Sequence, residues 1–145
     1  MIRIVLADDQ AMVRTGFHMI LEAQPDMEVV YEASDGVEAL EAINRFRPDV
    51  ALLDIRMPRM NGLQVAEQVA PQLATVMVTT FNDDAYVDTA LEHGARGYLL
   101  KDAGPELLVE AIRSAYRGDV LISPKYSRYC STAVLSLILV LPIFR

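Results

Sequence analysis

"DVALLDIRMPRMNG", residues 49–62, decides the reading of this chain. Val50 to Leu53 is an unbroken apolar run. A run this short, bounded by turn residues, predicts a strand covered on both faces, as in a parallel sheet. It ends on a carboxylate, Asp54, and the Met57-Pro58 and Asn61-Gly62 steps follow as turn signals. A charge at the tip of a buried strand costs desolvation energy, so Asp54 marks a position where chemistry is expected.

The pattern extends to either side. "IRIVLA" (Ile2 to Ala7), "EVVYEA" (Glu28 to Ala33), "ATVMVT" (74–79) and "GYLL" (97–100) predict four more strands. Amphipathic helical patterns separate them. "AMVRTGFHMILEA" sets Val13, Phe17, Ile20 and Leu21 at helical spacing, and Pro25 lies just beyond it. "SDGVEALEAINRF" opens with cap-type residues and places Val37, Leu40 and Ile43 on one face. "GLQVAEQVA" and "DDAYVDTALEHG" (83–94) predict two further helices. "GPELLVEAIRSAYRG" predicts the last, with Leu108, Ala111, Ile112 and Ala115 inward and Gly118 past its end. The expected fold is α/β. It is a (βα)5, flavodoxin-like, doubly wound sheet of five parallel strands in the order 2-1-3-4-5. In such sheets ligands sit outside the carboxyl ends of the strands, near the switch in strand order.

The 145 residues suffice for one domain with a core. A formal net charge of −7 argues against nucleic-acid binding, which needs clustered Lys and Arg. The single cysteine, Cys130, makes neither an internal disulfide nor a Cys-based zinc site. The start, "MIRIVLADDQ", reaches two acids by position 9 and does not read as a signal peptide. The expected compartment is the cytoplasm.

Three acids gather where the fold predicts a site. Asp8 and Asp9 follow the first strand and Asp54 ends the third, and these strands are expected neighbours. Clustered carboxylates repel one another and raise each other's pKa, which a cation relieves. Their hard oxygens suit Mg²⁺. Thr79 and Thr80 end the fourth strand as hydroxyl donors, and Lys101 ends the fifth as a mobile point charge. A carboxylate nucleophile beside a metal, a hydroxyl and an ammonium suits formation of an acyl phosphate.

"LADDQ", "LLDIRMPRMNG", "VMVTTF" and "GARGYLLKD" together resemble a receiver domain of a two-component response regulator, over residues 1–120. "ALEHGARGYLLKD" and "AIRSAYRGDVLISP" are similar to the LuxR/NarL-type subfamily. The resemblance implies Asp54 as phosphoacceptor for a sensor histidine kinase. It implies Mg²⁺ bound by Asp9 directly, by Asp8 more through water, by Asp54 and by the Arg56 backbone carbonyl. Thr79 and Lys101 would contact phosphoryl oxygens, with Thr80 beside them. Tyr98 would turn inward as Thr79 moves, so that phosphorylation biases a surface of the fourth helix, fifth strand and fifth helix. Such a domain is not an enzyme beyond its own phosphotransfer and autodephosphorylation. The family often has Pro after the lysine, where this chain has Asp102; Arg56 and Thr80 stand where the family tunes phosphoryl lifetime. A haloacid-dehalogenase-type phosphatase is disfavoured, because it needs an acid two residues after its nucleophile and Arg56 stands there.

Residues 121–145 leave the pattern as an apolar tail. "YCSTAVLSLILVLPIF" (129–144) carries no charge. A LuxR-type output domain needs several helices more than this length supplies, so DNA binding is not expected of this chain. The segment is short for a membrane span, so a span is not expected either. It reads, in this order, as a non-native or truncated end, as an element that packs on the receiver or on a second copy, or as a weak membrane anchor. A homodimer is the corresponding expectation.

Overall fold

The computed structural model describes residues 1–69, 72–79, 90, 92 and 94–122. Thr80, most of the helix expected over 83–94, including Asp83, Asp84, Asp88 and His93, and the tail from 123 onward lie outside the described residues.

Strands β1 (Ile2–Ala7), β2 (Met27–Ala33), β3 (Val50–Asp54), β4 (Ala74–Thr79) and β5 (Gly97–Leu100) form a parallel sheet in the order 2-1-3-4-5, as expected. A two-residue β6 (Leu121–Ile122) pairs parallel with Gly97 and Tyr98 and adds a sixth strand. The sequence reading put these residues in the tail, because two residues carry no period to detect. Helices α1 (Ala11–Glu22), α2 (Gly36–Phe46), α3 (Gly62–Val69) and α4 (Pro105–Arg117) complete the described elements.

The sheet is covered on both sides because its strands alternate between two apolar faces. Along β3, Val50 and Leu52 pack with Leu21 of α1 and with Leu108, Ala111 and Ile112 of α4. Ala51 and Leu53 pack with Ala39 and Ile43 of α2 and with Leu63, Val65 and Ala66 of α3. Ile4, Leu6, Leu52, Leu53 and Leu99 are fully buried. Each contributes roughly 1.5–3 kcal/mol relative to exposure.

Local chemistry fixes the helix starts beside the site. Asp35 caps α2, its Oδ1 accepting from the Glu38 amide at 2.8 Å, while Glu38 Oε1 accepts from the Ser34 amide. Glu38 thus reaches back one residue beyond the N-cap. Asn61 and Gln64 build a reciprocal capping box at α3: the Gln64 amide donates to Asn61 Oδ1 at 2.8 Å and the Asn61 amide to Gln64 Oε1 at 2.9 Å. Asn61-Gly62 is thus a helix entry as well as a turn.

Two glycines let the β3–α3 loop lie flat against its neighbours. A Cβ on Gly62 would run into the Asp54 carbonyl, and one on Gly36 would run into the Met60 carbonyl. Met57 is buried and Met60 packs on the same core.

Candidate functional site

Parallel pairing brings the strand tips together. Ala7 is in register with Leu53, so Asp8 and Asp9 emerge beside Asp54. Carboxylate oxygens of the three acids lie within 4.8 Å of one another. Asp8 and Asp54 are 1% and 5% exposed, whereas Asp9 is open to solvent. The cluster therefore has two buried walls and one accessible ligand, the arrangement a partly hydrated Mg²⁺ takes.

Lys101 reaches into the cluster from the end of β5. Its Nζ lies 2.8 Å from Asp8 Oδ2, 3.1 Å from Asp54 Oδ2 and 3.3 Å from Gln10 Oε1. The lysine amide donates to the Thr79 carbonyl at 2.8 Å, which ties the tips of β4 and β5.

Burial pushes the Asp54 carboxyl up to about 6; the Asp8 charge adds to that, and Lys101 offsets part of it. Burial pulls the Lys101 ammonium down, but its contacts with Asp8 and Asp54 outweigh burial and leave it above its usual value. The two buried acids repel each other while the ammonium bridges them. Asp54 is thus an ionisable carboxylate at neutral pH, held beside a cation and aimed at the open edge.

Thr79, 1% exposed, ends β4 across the ladder, in register with Leu100. Tyr98 lies wholly buried in the core on the α2–α3 side of the sheet, one step deeper than a half-buried strand aromatic. Arg56 has an exposed side chain just beyond β3. The structure brings Asp8, Asp9, Asp54 and Lys101 together; Thr79 closes the same edge.

Two nearby residues were not singled out from the sequence. Gln10 accepts from Lys101 through its side chain, and its amide donates to Asp8 Oδ1 at 2.8 Å. Its place directly after the acid pair was the available signal. Asp8 therefore serves the turn into α1 as well as the acid cluster. The second residue is Arg14, whose Nη1 donates to the Asp8 carbonyl at 2.6 Å. An arginine on a helix gives no sequence sign of such a contact.

The profile of the response regulator receiver domain family matches residues 4–113. The chain belongs to this family. The oxygen regulatory protein NreC of Staphylococcus carnosus is 45% identical over 127 residues, which is 85% of this chain and 58% of that protein. The chain thus spans little more than half the length of the curated relatives it matches. The solved signal receiver domain of NarL from Mycobacterium tuberculosis is 39% identical with a TM-score of 0.77, covering 81% of this chain and 97% of that one. A LuxR-family two-component response regulator from Aurantimonas sp. is 29% identical with a TM-score of 0.84, covering 92% and 98%. This receiver domain is of the NarL/LuxR type and has a phosphoacceptor signalling role, and the acid cluster is where receivers bind Mg²⁺. Among the described residues no helix is long and apolar enough to cross a membrane.

Proposed function

We propose that Asp54 is the phosphoacceptor of this receiver and that a sensor histidine kinase is its donor. The observation that carries the reading is the bridge from Lys101 Nζ to Asp54 Oδ2 and Asp8 Oδ2 inside the acid cluster. An Asp54 carboxylate oxygen attacks phosphorus, the bond from phosphorus to the donor histidine nitrogen breaks, and that nitrogen keeps the electron pair and takes up a proton. Lys101 then swings from carboxylate to phosphoryl oxygen, and the Thr79 hydroxyl donates to another. Asp9, Asp54 and the Arg56 carbonyl would hold Mg²⁺, with Asp8 acting more through water, and the ion would supply neutralisation of charge gathering on the phosphoryl oxygens.

Inward placement of Tyr98 and movement of Thr79 form the switch, with Thr80 next to the phosphoryl group. The domain runs from residue 1 through β6 to Ile122, acts in the cytoplasm and turns over no other substrate. β6 belongs to the receiver sheet, so the apolar tail begins after Ile122; a homodimer is the proposed assembly, and contact with DNA belongs to an output domain.

The test is intact mass after incubation with acetyl phosphate and Mg²⁺, for the parent chain and Asp54→Ala in parallel. One added phosphoryl group on the parent alone is expected. Equal addition on both moves the acceptor elsewhere.

A further inference from the structure

The acid pair is gripped from behind as well as from the site. The β1 ladder ends at Ala7, paired with Ala33 on one side and Leu53 on the other. The Asp8 amide still donates to the Ala33 carbonyl at 3.1 Å, but the peptide that links Asp8 to Asp9 lies past the ladder. Its carbonyl is taken by Arg14 Nη1 at 2.6 Å. Arg14 is itself steered: its Nε lies 3.8 Å from Glu32 Oε1 on β2, and Glu32 Oε2 lies 2.8 Å from His18 Nδ1, one turn along α1 from Arg14. The three side chains are only partly exposed, at 20%, 34% and 39%.

We propose that Arg14 is a positioning residue for the metal site, held in place by Glu32. This inference rests on the proposed Mg²⁺ site. Asp8 has its carboxylate fixed by Lys101 and by the Gln10 amide. Asp9 is the exposed member of the cluster, and its direction follows the orientation of the peptide before it. A guanidinium bonded to that peptide's carbonyl stops it from rotating and so fixes where Asp9 presents its oxygens. Charge-assisted bonds of this kind are short and strong. Lys in place of Arg would reach the carbonyl or Glu32 but not both, because it lacks the fork.

The experiment is Mg²⁺ titration by calorimetry on the full chain, with amide hydrogen exchange at Asp9 and Gln10 in metal-free solution. Arg14→Gln is expected to weaken Mg²⁺ binding about 10-fold, as loss of a supporting contact does at metal sites. It should also speed exchange at those two amides. Arg14→Lys should recover part of both, and it decides the matter by the same two readouts if Arg14→Gln does not fold.

Arg113→Ala is the control. It breaks an ion pair between α4 and Asp26, 3.0 Å long, and should lower stability without changing either readout. Parent-like affinity in the folded Arg14 variants, with Asp9→Ala still losing Mg²⁺, overturns the role of Arg14 alone. Failure of the parent chain to bind Mg²⁺ overturns the site and this inference with it.

Discussion

Lys101 and Asp54, 47 residues apart in sequence, meet at 3.1 Å across a buried sheet edge. The contact lowers the Asp54 pKa but does not cancel burial and the Asp8 charge, which together leave it near 6. Two expectations follow for pH. Asp54 attacks only when ionised, so labelling by acetyl phosphate should slow at acid pH, and more Mg²⁺ should move that fall to lower pH because the cation favours the ionised form, read from initial rates between about pH 4 and 8 at two Mg²⁺ concentrations.

The same shift is a cost to the fold. Folded Asp54 holds its proton up to about pH 6, whereas the unfolded chain releases it near 3.8. Below 3.8 both states are protonated and the penalty vanishes; above 6 both are ionised and it is complete. Asp54→Asn should therefore stabilise the metal-free chain by about 1–3 kcal/mol at pH 7. The gain should fade between pH 6 and 4, measured by urea unfolding.

Lys101→Met removes the cation between two buried acids. Stability at pH 7 should fall by about 3 kcal/mol, the cost of leaving buried charge uncompensated. Added Mg²⁺ should restore part of it, measured as a shift of the urea midpoint. Phosphoryl labelling should stay low with or without the metal.

Gly62→Ala places a methyl against the Asp54 carbonyl, backbone that has little room to yield. A loss of about 1–3 kcal/mol is expected for such overpacking. Because the strained atom belongs to Asp54, labelling should drop more than at Gly16→Ala, where nothing lies within 4 Å of the added carbon.

Thr75 offers a change in the opposite direction. It is fully buried in β4, and its Oγ1 finds no hydrogen-bond partner among the described residues. Thr75→Val keeps the shape and removes the unsatisfied hydroxyl. It should raise stability by about 1 kcal/mol, visible as a higher melting temperature.

The fold was legible because parallel strands covered on both faces leave a coarse mark: Val50 to Leu53 is apolar throughout, 74–79 breaks only at Thr75 and Thr79, and amphipathic helices alternate with them. The acids and Lys101 were legible because charge at a strand tip breaks that pattern. What stayed hidden lacked a period. β6 is two residues long and held by pairing, including a bond from the Leu121 amide to the Arg96 carbonyl at 3.0 Å. The Arg14–Glu32 contact joins a helix to a strand, and either residue alone reads as an ordinary surface charge. The full burial of Tyr98 depends on core residues distant in sequence, which no local window contains.

The margins of the sheet have a consequence for solubility. A strand edge is a template on which another chain can grow. Here one margin is β2, which carries the exposed acids Glu28 and Glu32, and the other, among the described residues, is the stub β6. Charge on one border and brevity on the other both discourage edge-to-edge growth. The folded domain can thus carry the wholly buried strands β3, β4 and β5 while its two borders offer little purchase for fibril seeding.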